Sequence, residues 1–237
     1  NVTLGVLSNA APGAAFINDL SINLSGVGGG AAGLTTLNGS LQLDENGAAD
    51  PADFMIAGSG KIAINAATNG TITVGTDNGS NGLVTAPSAI NWGTSNVYAV
   101  NTGVTLNLTG KNGNNVPANV TSATVGLVNN NGGANNYLKS LTFSLGNAVS
   151  NASLVTFNGN VFVDGGNVTT TLGAVSFNGS VTIDTAQGAT AVAGSISFSN
   201  SSGPVGGTNA DLLFDTSAAT TGGNVTFTNM NGGATAN

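Results

Sequence analysis

Two stretches of the chain, VTFNGNVFVDGG at residues 155–166 and VSFNGSVTIDTAQG at residues 175–188, share one pattern at an offset of twenty residues. A fainter copy, TTLNGSLQLDENG, occupies residues 35–47. In each copy an alternating apolar run meets Asn-Gly and continues into a second alternating run, which is typical of two half-buried strands joined by a tight turn. The fold depends on whether that turn is a hairpin tip or the corner of a coil that stacks on its neighbour.

Asn-Gly between apolar runs first suggests a two-residue hairpin, because a type I′ turn needs positive φ at both central residues. Directly opposed residues of a hairpin share a face. A two-residue loop would therefore put Val155 and Phe157 on the opposite side of the sheet from Val161 and Val163. A three-residue loop removes this conflict, so a hairpin-built β-sandwich or meander remains the alternative.

A solenoid corner explains both the inward side chains and the repeat. The four-residue step from Phe157 to Val161 turns the chain while both side chains stay inside, and equivalent asparagines then stack about 4.8 Å apart. We therefore predict an all-β fold, a parallel β-solenoid of the right-handed β-helix type, at least in the C-terminal half. Its predicted structural turns, with both glycines at positive φ, are Asn158, Gly159, Asn178 and Gly179.

The chain reads as a series of short strands, because residues that favour helices are rare and Gly, Asn and Thr interrupt every window. The predicted strands are residues 2–7, 20–24, 40–43, 61–64, 71–74, 97–100, 104–108, 123–128, 140–145, 154–157, 160–163, 174–177, 180–183, 195–198, 212–214 and 224–227. Interior positions predicted from the alternation are Val155, Phe157, Val161, Val163, Val175, Phe177, Val181, Ile183, Ile196 and Phe198.

Turn-forming residues are densest between Gly110 and Asn136. This indicates an irregular β-rich region at residues 1–136 and a β-repeat region at residues 137–237 with a period of about 20–21 residues, or a single continuous unit. The chain begins at Asn1 without Met and ends inside a copy of the pattern, so we expect it to be excised from a longer parent chain.

Charged side chains are scarce. The 237 residues include three Lys, ten acidic residues and no Arg, His or Cys, and only 5% are charged where roughly 25% is usual. Clustered Lys and Arg are needed for nucleic-acid binding and Cys for thiol chemistry, so both are excluded. The apolar runs are far shorter than the roughly 20 residues of a membrane-spanning helix. The 35 Asn, 21 Ser and 29 Thr supply an uncharged polar surface, which we expect outside the cell.

Several stretches resemble the passenger regions of large bacterial surface proteins, namely autotransporter passengers and filamentous-haemagglutinin-like adhesins. They are SLVTFNGNVFVDGGNVTT, AVSFNGSVTIDTAQGA, GGNVTFTNMNGG and VYAVNTGVTLNLTG. The resemblance implies a right-handed parallel β-solenoid with a structural or adhesive role at the cell surface. Its expected partners are copies of itself, the longer parent chain, or glycans of a host surface or matrix.

The acidic residues were the only candidates for chemistry. Asp44, Asp164 and Asp184 each close the phrase N-G-S/N-x-x-x-D, where a carboxylate and turn carbonyls offer the oxygen ligands that calcium prefers. The spacing matches neither an EF-hand nor a calcium-binding β-roll, which favours strand-terminating turns. We predict no catalytic, cofactor-binding or metal residues, with Asp164 and Asp184 as weak calcium candidates. If these two carboxylates stack, repulsion raises the pKa of at least one of them.

Two further patterns bear on surface chemistry. Twelve N-x-S/T sequons are possible glycosylation sites, at Asn1, Asn23, Asn38, Asn69, Asn78, Asn107, Asn119, Asn151, Asn167, Asn178, Asn200 and Asn224. The pieces TITV and TLNLT and residues 169–171 are similar to the Thr arrays of ice-binding proteins. An ice-binding face needs Thr-x-Thr in register on successive coils, and the irregular spacing of these pieces along the sequence argues against one.

The sequence thus predicts an extracellular, non-catalytic structural protein, either a segment of a β-repeat surface adhesin or a subunit of a filament, sheath or surface layer. One alternative is a glycosylated archaeal-type filament subunit that assembles by strand pairing between subunits. Another is a carbohydrate-binding or carbohydrate-active β-helix protein, which would need two facing carboxylates.

Overall fold

The computed structural model describes residues 1–7, 17–24, 33–43, 52–76, 88–110, 122–132, 136–145, 153–171, 174–188, 191–198, 205–207 and 211–228. Throughout these ranges the regular secondary structure is β-strand. The strands are β1 (Val2–Leu4), β2 (Leu20–Asn23), β3 (Leu34–Leu37), β4 (Leu41–Gln42), β5 (Asp53–Ala57), β6 (Lys61–Ile64), β7 (Thr71–Gly75), β8 (Ala89–Asn91), β9 (Asn96–Ala99), β10 (Thr105–Gly110), β11 (Ser122–Val125), β12 (Ser140–Leu145), β13 (Leu154–Phe157), β14 (Val161–Phe162), β15 (Val168–Thr170), β16 (Ala174–Phe177), β17 (Val181–Asp184), β18 (Ile196–Phe198), β19 (Val205–Gly207), β20 (Leu212–Asp215) and β21 (Val225–Phe227).

Parallel strands stack into three faces around one axis. Face 1 contains β1, β3, β6 and β9, then β14, β17 and β20, and single bridges from Val97 to Val128 and from Val128 to Val161 join its two parts. Face 2 contains β4, β7, β10, β12, β15, β18 and β21. Face 3 contains β2, β5, β8, β11, β13, β16 and β19.

The chain visits the three faces in turn, so that β3, β4 and β5 form one coil and β6, β7 and β8 form the next. Successive strands along the chain never pair with each other in the described ladders, and every strand pairing is parallel. This arrangement is a parallel β-solenoid, as the sequence predicted. The hairpin alternative is wrong, because β13 and β14, which flank Asn158 and Gly159, belong to different faces.

Among the described strands, the period of 20–21 residues holds for one pair, β13 with β16. Phe157 lies opposite Phe177, twenty residues on, but Val175 lies opposite Val205 and Thr105 opposite Ser140. Val175 and Ile196 are 21 residues apart, but they lie on faces 3 and 2 and so are not equivalent positions of neighbouring coils. Alternation in the sequence determines which side chains point inward, but it does not determine how many residues join one strand to the next. The coils therefore differ in length, while inward positions still pair with inward positions on the neighbouring strand.

Each coil contributes inward side chains to one continuous core. All ten predicted interior residues are buried, with exposures of 0 to 2%. Between Phe143 and Phe227 a chain of contacting Phe rings runs through the core, with Phe157 and Phe177 stacked at a centroid distance of 5.6 Å. In the first half the core is mostly aliphatic, with one edge-to-face pair between Phe54 and Trp92.

The ladders cross the predicted boundary near residue 136 without a break. On face 2, β10 pairs with β12 through six residues, and on face 3, β11 pairs with β13 through four. The described parts of residues 1–136 and 137–237 therefore share the same three faces.

Candidate functional site

The Asn-Gly phrase forms a corner in both C-terminal copies and at residues 38–39. In the two C-terminal copies it turns the chain from face 3 to face 1, whereas Asn38 and Gly39 turn it from face 1 to face 2. The backbone N–H of each asparagine donates to the coil below: Asn158 to the Val125 carbonyl, and Asn178 to the Phe157 carbonyl. The phrase therefore specifies a change of face and is not tied to one position in the coil.

Asparagine side chains link neighbouring corners. The Nδ2 of Asn178 donates to the Oδ1 of Asn158 at 3.2 Å, which confirms the predicted stacking. A second ladder follows face 1, where Asn65 donates to Asn38 at 2.7 Å and Asn101 donates to Asn65 at 3.4 Å. These side chains give each corner a hydrogen bond along the axis, in addition to those of the strands.

The two predicted corner glycines differ. Gly179 has a φ of 98°, in the left-handed region that favours glycine. Gly159 does not have positive φ, so that prediction is wrong for Gly159. A Cβ at Gly159 would lie 3.1 Å from the Leu127 backbone nitrogen, so this glycine instead permits a close approach between coils.

A stack of three glycines at the corner before face 2 was not predicted. A Cβ at Gly194 would lie 1.9 Å from the Gly166 carbonyl oxygen, and one at Gly223 would lie 1.8 Å from that of Gly194. The sequence signal was available: each glycine begins a Gly-Asn/Ser-Val/Ile phrase, at residues 166–168, 194–196 and 223–225.

The residue after each of these glycines bonds to the next coil. The Asn167 N–H donates to the Ser140 hydroxyl, the Ser195 N–H to the Asn167 side chain, and the Asn224 N–H to the Ser195 hydroxyl. Face 3 uses aspartate in the same way, since the Asp53 N–H donates to Asp19 and the Ala89 N–H donates to Asp53. Polar side chains at strand starts therefore satisfy backbone donors of the coil above.

The predicted stacking of Asp164 on Asp184 is wrong. Phe162 lies opposite Asp184, because Val161 pairs with Ile183 and not with Val181. The ladder between β14 and β17 is thus offset by two residues from the one between β13 and β16, although three residues form the corner in both copies. An offset of two keeps every apolar side chain inward. The Asp164 carboxylate packs instead against Gly188, where a Cβ would lie 2.8 Å from it.

Asp184 lies opposite Asp215 on face 1, and each carboxylate closes a turn of its own. The Oδ1 of Asp184 accepts the Ala186 N–H, and that of Asp215 accepts the Ser217 N–H, both at 2.8 Å. The Ser217 hydroxyl and backbone N–H lower the pKa of Asp215. Both aspartates therefore act as strand-terminating turn residues, the reading that the spacing favoured.

Neither a metal-binding cluster nor a membrane-spanning helix occurs in the described ranges. These ranges contain no group of three or more acidic side chains close enough together to hold a metal ion. They also contain no helix that is long and apolar enough to cross a membrane.

The sequons occupy varied positions. Asn38, Asn167 and Asn178 lie at corners and take part in the bonds described above, and Asn107 points outward from β10. Asn69 lies in a turn with a φ of 58°, while Asn1, Asn23 and Asn224 lie at or beside strand ends. Asn78, Asn119, Asn151 and Asn200 are outside the described residues, as is Asp44.

The outer side of face 2 carries hydroxyl and amide side chains in columns. The central column runs through six strands, and we call it and its flanking columns the hydroxyl face. Its central members are Thr73, Asn107, Thr142, Thr169, Ser197 and Thr226, and its flanking members are Thr71, Thr105 and Ser140 on one side and Thr109 and Ser144 on the other.

The outer sides of faces 1 and 3 are more varied. On face 1, Tyr98 is buried, and burial raises its pKa. Nearby, the Lys61 ammonium donates to Asn131 at 2.6 Å, so the segment after Val128 reaches across this face. On face 3, Met55 and Asn91 border an open groove of about 320 Å³ beside the corner at Gly93.

None of the family models, curated proteins or solved structures compared with this chain matches it. The stacked coils therefore define the class, a parallel β-solenoid, and the function must be argued from the faces and corners themselves.

Proposed function

We propose that this chain is an extracellular, non-catalytic structural protein, a segment of a β-repeat surface adhesin or a subunit of a filament, sheath or surface layer. The observation that carries the proposal is the pair of seven-stranded parallel sheets, which keep their register along the described chain. Because strands lie about 4.8 Å apart, seven of them span about 29 Å of rigid stack. Such a stack serves as a spacer that holds its outer faces at fixed positions.

The bonds at the corners support a structural role for the polar residues. Asparagine, serine and aspartate side chains at these positions accept or donate hydrogen bonds between coils, and the two turn aspartates on face 1 are engaged in their own turns. The scarcity of charge supports exposure to variable salt and acidity, since amides and hydroxyls do not titrate near neutral pH.

Assembly into a filament is favoured by the last described coil. Val225 occupies an inward position opposite Ile196 and is nevertheless 40% exposed, whereas Ile196 is fully buried. Among the described residues β20 and β21 are edge strands of their sheets, and an edge strand can pair with a strand of another subunit.

Immunogold electron microscopy of the source cells tests the proposal. Antibodies raised against the purified chain should label intact cells without permeabilisation. Label on scattered projections supports the adhesin segment, and label at regular intervals along fibres or sheets supports the assembling subunit. Label confined to the interior of permeabilised cells would contradict the extracellular assignment.

A further inference from the structure

The hydroxyl face has a regular geometry that the sequence spacing conceals. Neighbouring members of its central column are 27 to 35 residues apart in the chain, yet each lies directly opposite the next in the strand ladder. The irregular spacing that argued against an ice-binding face is therefore a property of the corners and loops. The face itself keeps its side chains in register on successive coils: Thr-x-Thr on β7 lies opposite Thr-x-Asn on β10, which lies opposite Ser-x-Thr on β12.

Strand geometry turns these columns into a two-dimensional array. Members of one column are about 4.8 Å apart, and residues two positions apart on a strand are about 6.6 Å apart. Thr71 and Thr73 on β7 are followed by Thr105 and Asn107 on β10, and by Ser140 and Thr142 on β12. Side-chain ladders of the kind seen at the corners are among the features that keep a long sheet flat.

The chemistry of the array is uniform. The strands of the array are β7, β10, β12, β15, β18 and β21. Their described outward residues include no charged and no aromatic side chain. By contrast, face 3 carries Asp19 and Asp53, and face 1 carries Lys61, Asp184 and Asp215. Charged groups hold tightly bound hydration shells of their own. An array of hydroxyls and amides can instead donate and accept hydrogen bonds with water at every position.

The size and composition of the array disfavour a protein partner. The central column spans about 24 Å over six strands, and the three columns together span about 13 Å on β10 and β12, so the array covers less than about 300 Å². A stable protein interface buries about 800 Å² on each partner and depends on aromatic and Arg anchors, which this face lacks in its described residues. The apolar face of a sugar ring likewise favours an aromatic platform.

We propose that the hydroxyl face binds the ordered water lattice at the surface of an ice crystal. Hydroxyl and amide groups at repeated positions would hold a layer of water that joins the crystal, and the threonine methyl groups would fill the spaces between those waters. The inference rests on the proposed surface role, because it names what one face of the exposed stack adheres to.

Ice itself is the probe for the test. The purified chain, labelled with a fluorophore on its Lys side chains, is expected to adsorb to a growing ice hemisphere and to inhibit recrystallisation of polycrystalline ice. Thr142→Tyr places a bulky ring in the middle of the central column, so it should raise the concentration needed for inhibition by about tenfold or more. Thr169→Tyr, on the next strand, should act in the same way.

Thr156→Tyr is the matched control, because Thr156 is a half-exposed threonine at the same outward position of a strand on face 3. It should leave ice adsorption unchanged, and circular dichroism should show all three variants folded. Exclusion of the wild-type chain from ice would overturn the inference, as would equal loss in Thr142→Tyr and Thr156→Tyr. Sedimentation with crystalline cellulose or chitin, without adsorption to ice, would assign the face to glycans instead. None of these results changes the outcome of the immunogold test, so failure of ice binding can be distinguished from failure of the proposed function.

Discussion

The two halves of the molecule look different in sequence and share one architecture. Residues 137–237 repeat visible phrases, and their core is built on a chain of contacting phenylalanine rings. Residues 1–136 show no comparable repeat, and their described core is aliphatic apart from the Phe54–Trp92 pair. Nevertheless, the same faces run through both. The comparison teaches that register in this solenoid comes from inward alternation and corner bonds, and that equal coil lengths are not required.

The aromatic core of the C-terminal half should be the most sensitive region. Phe177 lies 5.6, 6.3 and 5.8 Å from the rings of Phe157, Phe198 and Phe214, and it is 1% exposed. We expect Phe177→Ala to lower the free energy of unfolding by about 3–5 kcal/mol. Phe54→Ala, which loses one aromatic neighbour, should fall at the lower end of that range. Urea unfolding of both variants measures the two changes in the free energy of unfolding. A larger decrease for Phe54→Ala would contradict the greater sensitivity of the C-terminal core.

The glycine stack should be the next most sensitive feature. Gly194→Ala would place a Cβ 1.9 Å from the Gly166 carbonyl oxygen, so the coils must separate locally. We expect a loss of about 1–3 kcal/mol or more, the usual cost of overpacking. Gly5→Ala in the first half is the control, because a Cβ there meets nothing within 4 Å. Thermal unfolding should show Gly5→Ala close to wild type, and equal losses at the two positions would refute close packing at the corner.

Buried threonines offer one stabilising change in each half. Thr170 and Thr35 are at most 1% exposed, and their hydroxyl oxygens have no hydrogen-bond partner among the described residues. Valine has nearly the same shape and leaves no polar group to desolvate. Thr170→Val and Thr35→Val should each raise the free energy of unfolding by about 1–2 kcal/mol. Destabilisation of both variants in chemical denaturation would show that these hydroxyls are bonded in the folded protein.

Substitutions in the asparagine ladders should change the free energy of unfolding least among these four predictions. The Asn65 side chain donates to Asn38 and accepts from Asn101. The Asn178 side chain makes one such bond among the described residues, as a donor to Asn158. We expect Asn65→Ala to cost about 1 kcal/mol and Asn178→Ala about 0.5 kcal/mol, because the net contribution of each exposed hydrogen bond is small. Differential scanning calorimetry can rank them. If neither variant is less stable than the wild type, the ladders do not stabilise the fold.

The parts of the fold that the sequence revealed follow from alternation. It identified the inward residues of β13, β14, β16 and β17, because period-two patterning determines which face is buried. Strand β15 was missed, since Val168–Thr170 carries few apolar residues and its Thr170 is buried in a position usually held by an apolar side chain. Strand β5 was missed because Asp53 and Met55 mask the alternation of Phe54 and Ile56.

The features that the sequence did not reveal depend on the pairing between coils. The stacking of Asp164 on Asp184 was inferred from equal phrase spacing, but the strands pair with an offset of two residues, so Phe162 and not Asp164 lies opposite Asp184. The columns of the hydroxyl face were hidden for the same reason. Corner length is set by contacts between coils, such as those of Gly159 with Leu127, which no local pattern reports.

Pulsed electron–electron spin resonance tests the central claim most directly, namely that one register runs through both halves. The chain has no Cys, so pairs of spin labels can be introduced at Thr73 with Thr169, Ser197 or Thr226, which all lie in one column. These pairs are three, four and five strand spacings apart, so the backbone separations should be about 14, 19 and 24 Å. A rise of about 5 Å per strand across the series, with narrow distributions, is the predicted result. Distances that do not increase in this order, or one broad distribution for all three pairs, would contradict a continuous solenoid.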